Sequence, residues 1–277
     1  MASDMHVHTS FSDGRLTPEE IVAEAKAVGL TYLAITDHDT VDGIRHLYEE
    51  RLYPSKTLRI IPGIEFSCEV DDHDVHILGY DFDIYDQTIA DRATEISESR
   101  WTRLSQMLEK LQALGYALTE SEVMQIAGTS RSVGRLHVAR ALVKKGLVAS
   151  VKDAFAKLLE HGQPAYIPHY RLTPEEAVKL IHDAGGVAVL AHPKLVKDDN
   201  LVAQVLELGF DGLEVYYPRH TDLETVRYRM MAEERGLRLT GGSDYHATPQ
   251  REPERLGIFT VDDALAAPFF HPPKAFD

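Results

Sequence analysis

Cysteine is almost absent: Cys68 is the only one among 277 residues. No internal disulfide can form, so the fold does not depend on an oxidising compartment, and a reducing cytoplasm is the expected location. Long apolar runs are missing as well. None approaches the roughly 20 residues needed to span a bilayer, and the first residues lack the basic, apolar, small-residue order of a secretory signal. A membrane partner is therefore not expected. Positive charge is scarce: 29 Lys and Arg stand against 44 Asp and Glu, a net charge of −15. That balance argues against a large nucleic-acid surface. A small anionic substrate stays open, because bound cations reverse the sign of a local field.

What the chain has in excess is histidine, 14 in all. The rest is ordinary for a globular protein, 44% hydrophobic and 26% charged. Its length suits one large domain, or a domain with an insertion.

The first 80 residues alternate short apolar runs with helical spacing. Met5-Val7, Tyr32–Thr36, Arg59–Glu65 and His76–Tyr80 read as strands. Thr17-Pro18-Glu19-Glu20 supplies an N-cap, a first-turn proline and first-turn acids, and Ile21, Ala25 and Val28 continue at helical spacing to Gly29. Such alternation predicts a parallel α/β sheet or barrel. Between about 86 and 160 the pattern becomes nearly all helical: Ile89–Leu114, Glu120–Ala127, Val133–Lys145 and Val151–Leu159. After Pro164 the alternation resumes. Thr173-Pro174-Glu175-Glu176 repeats the helix start, and strands follow at Gly186–Ala191, Gly212–Val215 and Leu237–Thr240. The segment Ala267–Pro273 reads as irregular.

Polar residues gather at the expected C-terminal ends of these strands, where α/β barrels place their chemistry. They are His6, His8, His38, Glu65, His192, Asp244 and His246, with His76 in a hairpin-like run. Residues i and i+2 of a strand share a face, so His6 with His8, and Asp244 with His246, each converge on a small volume. Taken alone, a histidine closing a strand is as well explained by a structural hydrogen bond. Seven separated segments doing the same thing point to a metal centre of the zinc, manganese or iron type. Several close cations polarise a phosphoryl oxygen and acidify bound water.

The ordered set HxH, SDG, TDHD, GIE, HILGY, AHP and SDxH resembles the PHP (polymerase and histidinol phosphatase) family of metal-dependent phosphoesterases, over about residues 3–82 and 165–250. The resemblance implies an α/β fold, a distorted (β/α)7 barrel with an inserted small all-helical domain. Residues 1–85 and 165–277 would form the barrel, and 86–164 a helical insertion that caps the substrate. It further implies two or three divalent ions (Mn, Fe or Zn). His6, His8, Glu65 and Asp244 would hold one. Glu65 would bridge to a second, shared with His76 and His192, and Asp13, His38 and His246 would hold a third. Many relatives carry histidine where this chain has Asp13, and the harder oxygen leans that third site toward manganese or iron. By the same resemblance the catalytic set is Glu65, Asp13, His38 and His192.

The helical block resembles the insertion of the subgroup that includes nucleoside 3′,5′-bisphosphate phosphatases, through Ser132–Arg140 and Gly162–Tyr166. There Arg135 and His137 would grip phosphate, Arg135 through its planar fork; the plainer alternative is an exposed helix face that happens to carry them. His220 is a further candidate substrate contact, and Lys194 a weaker one. Asp37 and Asp39 either orient a ligand or, for Asp39, cap the helix near Val41. His46, His73, His161, His169, His182 and His271 read as structural or solvent-facing. The implied activity is release of phosphate from a small phosphorylated substrate, a nucleoside 3′,5′-bisphosphate, by a hydroxide held between two ions. Alternatives are a 5′→3′ exoribonuclease acting on short RNA, a histidinol phosphatase, and a metal-binding regulatory module without catalysis.

Overall fold

In the computed structural model, which describes residues 2–51, 57–71, 73–128, 133–168, 171–248 and 251–271, the short apolar runs become strands and the Thr-Pro-Glu-Glu segments become helix starts. β1 (Ala2–Val7), β2 (Leu30–Ile35) and β3 (Arg59–Val70) run parallel, linked by α1 (Pro18–Ala27) and α2 (Asp42–Glu49). The Thr17 hydroxyl accepts from the Glu20 N–H, while the Glu20 carboxylate accepts from the Thr17 N–H. This reciprocal box satisfies two otherwise orphaned groups at the helix entry. β3 does not cross over. It turns back antiparallel into β4 (His73–Tyr80), so this pair is a long hairpin.

The chain next enters the helices α3 (Gln87–Ala113), α4 (Glu120–Ala127), α5 (Arg135–Lys144) and α6 (Val151–Ala154). It returns through α7 (Pro174–Asp183), whose entry repeats the capping box with Thr173 and Glu176. β5 (Val187–Leu190) pairs antiparallel with β4, and the sheet continues in parallel through α8 (Asp199–Leu206), β6 (Gly212–Tyr216), α9 (Asp222–Glu234) and β7 (Arg238–Gly241). β8 (Val261–Asp262) adds antiparallel to β1. One sheet of order β7-β6-β5-β4-β3-β2-β1-β8 results. A bridge between Val7 and Tyr245, just past β7, brings its ends together into a distorted barrel. The seven expected strands are all present within a few residues. The eighth has two residues, too short to leave a periodic signal.

Cα packing divides the chain into two units, Met1–Ala93 with Arg171–Asp277, and Thr94–Tyr170. The second begins and ends several residues later than the sequence suggests. Ala165 is part of its core, and Ile167 and Tyr166 offer their carbonyls to Arg103 Nε at 2.8 Å and Lys110 Nζ at 2.9 Å. Its described residues are helices joined by turns and short irregular segments around Leu104, Met107, Leu111, Val123, Val138, Leu142 and Leu159. The expected helix 151–159 divides into α6 and a π-helical turn, Phe155–Leu159.

In the barrel unit the core is built from Met5, Tyr32, Ala34, Ile61, Leu78, Tyr80, Val189 and Ala191. The Tyr80 hydroxyl donates to the Met5 carbonyl at 2.7 Å, linking strands that are not neighbours, so it crosses the interior. Ala266 and Phe269 join the same core. The segment read as irregular is thus α10 (Asp263–Ala266) followed by a 3-10 turn, Ala267–Phe269. Its regularity comes from packing: Phe269 is fully buried with its ring 5.3 Å from that of Tyr80. Residues 272–273 of that segment lie outside the described residues. Among the described residues no helix is long and apolar enough to cross a membrane. Phe269→Ala should cost about 3–5 kcal/mol of unfolding free energy, read as a lower urea midpoint with an unchanged slope.

Candidate metal centre

Glu65 lies in the middle of β3, not at its end, because the strand runs on into the hairpin. Its side chain is fully buried, and five imidazoles surround it. His76 Nδ1 lies 2.9 Å and His192 Nε2 3.0 Å from Oε1. His6 Nε2, His8 Nε2 and His38 Nδ1 lie 3.2, 3.1 and 3.2 Å from Oε2. The i, i+2 geometry of β1 brings the two Nε2 atoms of His6 and His8 to 3.1 Å of each other. Asp244 Oδ1 completes that corner, 3.2 Å from His8 Nε2 and 3.7 Å from His6 Nε2. On the other side of His8, Asp13 Oδ1 lies 3.0 Å from His246 Nε2 and 3.9 Å from His38 Nε2.

All nine candidate ligands therefore meet in one place. Three groups have donor atoms close enough to hold an ion: His6, His8, Glu65 and Asp244; His8, Asp13, His38 and His246; and His38, Glu65 and His76. The middle group falls on His38, Glu65 and His76, with His192 on the same Glu65 oxygen as His76.

Residues the sequence reading did not single out hold this arrangement. Glu214, buried on β6, accepts from His6 Nδ1–H at 3.0 Å and from the His192 backbone N–H at 2.7 Å. Occupying Nδ1 fixes the ring so that Nε2 of His6 faces the volume shared with His8, Glu65 and Asp244, where an ion would sit. Glu214 was findable, as an acid inside the apolar run Gly212-Leu213-Glu214-Val215. Asp4, another acid in an apolar strand, accepts from Ser243 N at 2.9 Å and pins the turn that carries Asp244 against β1. Burial pushes the Asp4 carboxyl up to about 6. Gly242 leaves no room for a side chain there: a Cβ would lie 2.3 Å from His6 Cβ.

Asp37 accepts from Thr9 N–H, Thr9 Oγ1 and Ser12 Oγ at 2.6–2.7 Å, fixing the loop that presents Asp13. Asp39 does not cap α2, whose N-cap Val41 has no side-chain bond. It accepts from Ser67 N–H instead and braces β3 beside Glu65. His192 and Asp244 have φ of 24° and 55°, left-handed values that cost a side chain about 1–3 kcal/mol and persist where surrounding bonds impose them.

Charge is balanced within the cluster. Burial alone would raise the carboxyl groups, yet His38, His6 and His76 hold Glu65 well below the usual carboxylate range. His246 and His38 do the same for Asp13, and His246 and Arg251 for Asp244. Burial disfavours charged imidazoles, but Glu214 and Glu65 hold His6 well above its ordinary value. Asp244 and Glu65 push His8 up to about 9, and against its burial Glu65 raises His76. Burial prevails at His38, pushed down to about 3, and at His246, also lowered. Three imidazoles shifted upward thus face three carboxylates shifted downward. Even so, Glu65 Oε2, Asp13 Oδ1, His8 Nδ1, His38 Nδ1 and His246 Nε2 are buried without a well-directed hydrogen bond. Unsatisfied imidazole nitrogens and carboxylate oxygens, aimed at one volume, fit divalent cations.

The remaining candidates are not among these ion-holding groups. Arg135 opens α5 in the helical unit, with Nη1 3.5 Å from the Leu159 carbonyl and its guanidinium 5.9 and 5.7 Å from the rings of Phe155 and Tyr166. His137 is not on an exposed face. It is 7% exposed, and its Nδ1 accepts the Gly134 N–H, closing the helix entry. His220 donates Nδ1–H to the Val215 carbonyl, packs against Tyr217 and Tyr228, and leaves Nε2 buried without a partner. Lys194 is held elsewhere, by Glu224 and the Arg219 carbonyl. Outside the cluster His46, His73, His182 and His271 pair with Glu19, the Val196 carbonyl, Asp211 and Asp81, and His161 packs edge-on to Tyr166. Ser132 and His169 lie outside the described residues.

Glu214→Gln should weaken metal binding about 10–100-fold, read by competition with a chelator, with the far-UV circular dichroism unchanged. His8 carries its proton below about pH 9, and a cation must displace it. Apparent metal affinity should therefore rise with pH up to about 9 and fall on acidification. Adding manganese to chelator-stripped protein in weak buffer at about pH 7 should release protons, read by a pH indicator.

A PHP-domain profile matches residues 4–181. The chain is 36% identical over 253 residues to the Escherichia coli 5′-3′ exoribonuclease Rnm, covering 88% of this chain and 84% of that protein. It is 33% identical over 249 residues to a 3′,5′-nucleoside bisphosphate phosphatase of Chromobacterium violaceum, covering 88% and 87%. Among solved structures, a Bifidobacterium adolescentis chain assigned to the metal-dependent phosphoesterases superposes with a TM-score of 0.81 at 31% identity, covering 96% of this chain and 94% of that one. An amidohydrolase from Chromobacterium violaceum, with bound sulfate and no metal, gives 0.81 at 30% identity and 99% coverage of both. With its barrel and its Glu65-centred cluster, the chain belongs to the PHP-domain family and is a hydrolase of phosphate ester bonds.

Proposed function

We propose that the chain releases phosphate from a small nucleotide, a nucleoside 3′,5′-bisphosphate, using two or three divalent ions of the manganese, iron or zinc type. The observation that carries this reading is the cluster of nine ligand-capable side chains that includes Glu65 at its centre, in a chain 33% identical to a bisphosphate phosphatase. The net charge of −15 supports a small substrate over a long polyanion. A second reading, a 5′→3′ exoribonuclease on short RNA, is favoured by the 36% identity to Rnm. The same donor set serves monoesters and diesters. A reducing cytoplasmic setting belongs to this reading, supported by the single, buried, unpaired Cys68.

Divalent ions, when bound, polarise a phosphoryl oxygen and acidify water. The protein's own part is positional. Glu65 spends both oxygens on imidazoles, so its carboxylate and the five rings are fixed before substrate arrives. His6, His8 and Glu65 are sealed from solvent, whereas Asp13, His38 and His76 are 25%, 13% and 25% exposed in their side chains. Substrate therefore approaches across Asp13, His38 and His76, where His38 and Asp13 flank the open edge. His192 remains behind that edge, on Oε1 of Glu65. Arg135, His137 and His220 enter the proposal as phosphate or sugar contacts. Arg135 is supported by a guanidinium steadied between two aromatic rings, and His220 by its unsatisfied Nε2.

Manganese-loaded protein should release inorganic phosphate from adenosine 3′,5′-bisphosphate, faster than it releases mononucleotide from a 5′-phosphorylated oligoribonucleotide. Mononucleotide release alone would establish the exoribonuclease reading. No product from either substrate, in protein shown to contain metal, would remove both.

A further inference from the structure

The cluster has one feature that metal binding does not explain: a fixed positive charge at its open edge. Arg251 donates from Nη2 to Asp244 Oδ2 at 2.9 Å, and its Nη1 lies 3.8 Å from Asp13 Oδ2. Both oxygens are the outer ones. The inner oxygens, Oδ1 of each residue, face His8 and His246. Arg251 thus spans two carboxylates that belong to two different ion-holding groups. Asp244 does not need it for orientation, because the Tyr217 hydroxyl already donates to the same Oδ2 at 3.1 Å.

A guanidinium beside cation sites opposes the cations, so its contribution must lie elsewhere. Two divalent ions would offset the charges of Asp13, Glu65, Asp244 and Glu214, and Arg251 then leaves the site net positive. Its side chain is 33% exposed, like the edge residues Asp13 and His76. Among the described residues its N–H donors meet Asp244 and Asp13, and the planar fork matches phosphate oxygens in pairs.

We propose that Arg251 is a substrate-binding residue that donates to the non-bridging oxygens of the phosphoryl group being hydrolysed, with Asp13 and Asp244 fixing the plane of its fork. This rests on the phosphoester reading above and names the residue of the barrel unit that grips the reacting phosphate. Arg135 and His220 concern the rest of the substrate.

The experiment uses manganese-loaded full-length protein, with inorganic phosphate as the probe in calorimetric titration, alongside elemental analysis. Arg251→Ala should weaken phosphate binding about 10–100-fold while ion content stays at the wild-type value. Arg251→Lys, which keeps the charge but loses the fork, should recover part of the affinity. In turnover, both variants should raise KM and lower kcat for a phosphomonoester. Unchanged phosphate affinity in Arg251→Ala overturns the inference. So does loss of ions in step with loss of phosphate binding, which would make Arg251 a support for the ligands. Wild-type protein that holds its ions yet neither binds phosphate nor releases it from any ester would overturn the phosphoester reading itself, a separate result read before any variant is made.

Discussion

A single buried carboxylate organises this protein. Glu65 is fully buried in the barrel interior, with His76 and His192 bonded to Oε1 and His6, His8 and His38 about 3 Å from Oε2, so its charge is balanced by the five imidazoles around it. Those rings come from β1, from β4 and from the turns after β2 and β5. The barrel must close, or nearly so, for the carboxylate to be tolerable at all. Each ring in turn needs something behind it, which is why Glu214 is buried behind His6, Asp37 ties down the loop before Asp13, and Asp4 holds the turn before Asp244. Metal affinity, the protonation of the imidazoles and the strain at His192 and Asp244 all follow from keeping that one charge satisfied.

Much of this was legible in the sequence. Strands announced themselves as short apolar runs, helix entries as Thr-Pro-Glu-Glu, and the ligands as polar residues where the apolar runs stop. The candidate ligands are legible for a physical reason: many polar side chains, from separated segments, stand where a barrel buries them together. Supporting groups are less so. Glu214 and Asp4 carry only the faint signal of an acid inside an apolar strand, and Arg251 none, since its meaning lies in contacts with Asp13 and Asp244 across the fold. For Asp39 the local sequence left two roles open, orienting a ligand or capping α2, and tertiary packing gave it the Ser67 amide instead of the cap. The order in Ala267–Phe269 likewise has no local cause. It exists because the core under Tyr80 needs an aromatic ring there.

The two faces of the cluster divide the work. Inward, His6, His8 and Glu65 are sealed, and their charges are balanced by neighbours rather than by solvent. Outward, Asp13, His38, His76 and Arg251 meet water. With ions bound as proposed, the mouth of this acidic chain would be locally cationic and would favour small anions over long ones, because that field falls away within about a Debye length and the surrounding −15 takes over. The same arithmetic accommodates a nucleotide, or the end of a short RNA, better than a duplex.

The hairpin that joins β3 to β4 has an effect on how the centre is assembled. Glu65 and His76 are eleven residues apart in sequence, so their contact requires only a local turn and little loss of chain entropy. The pairing of His6 with Asp244 spans nearly the whole chain and waits for the barrel's last strand. A cation captured early would therefore meet the hairpin first and the N-terminal histidines later. The order in which the ligands arrive thus follows from the hairpin, the first place along the chain where the barrel gives up its parallel pattern.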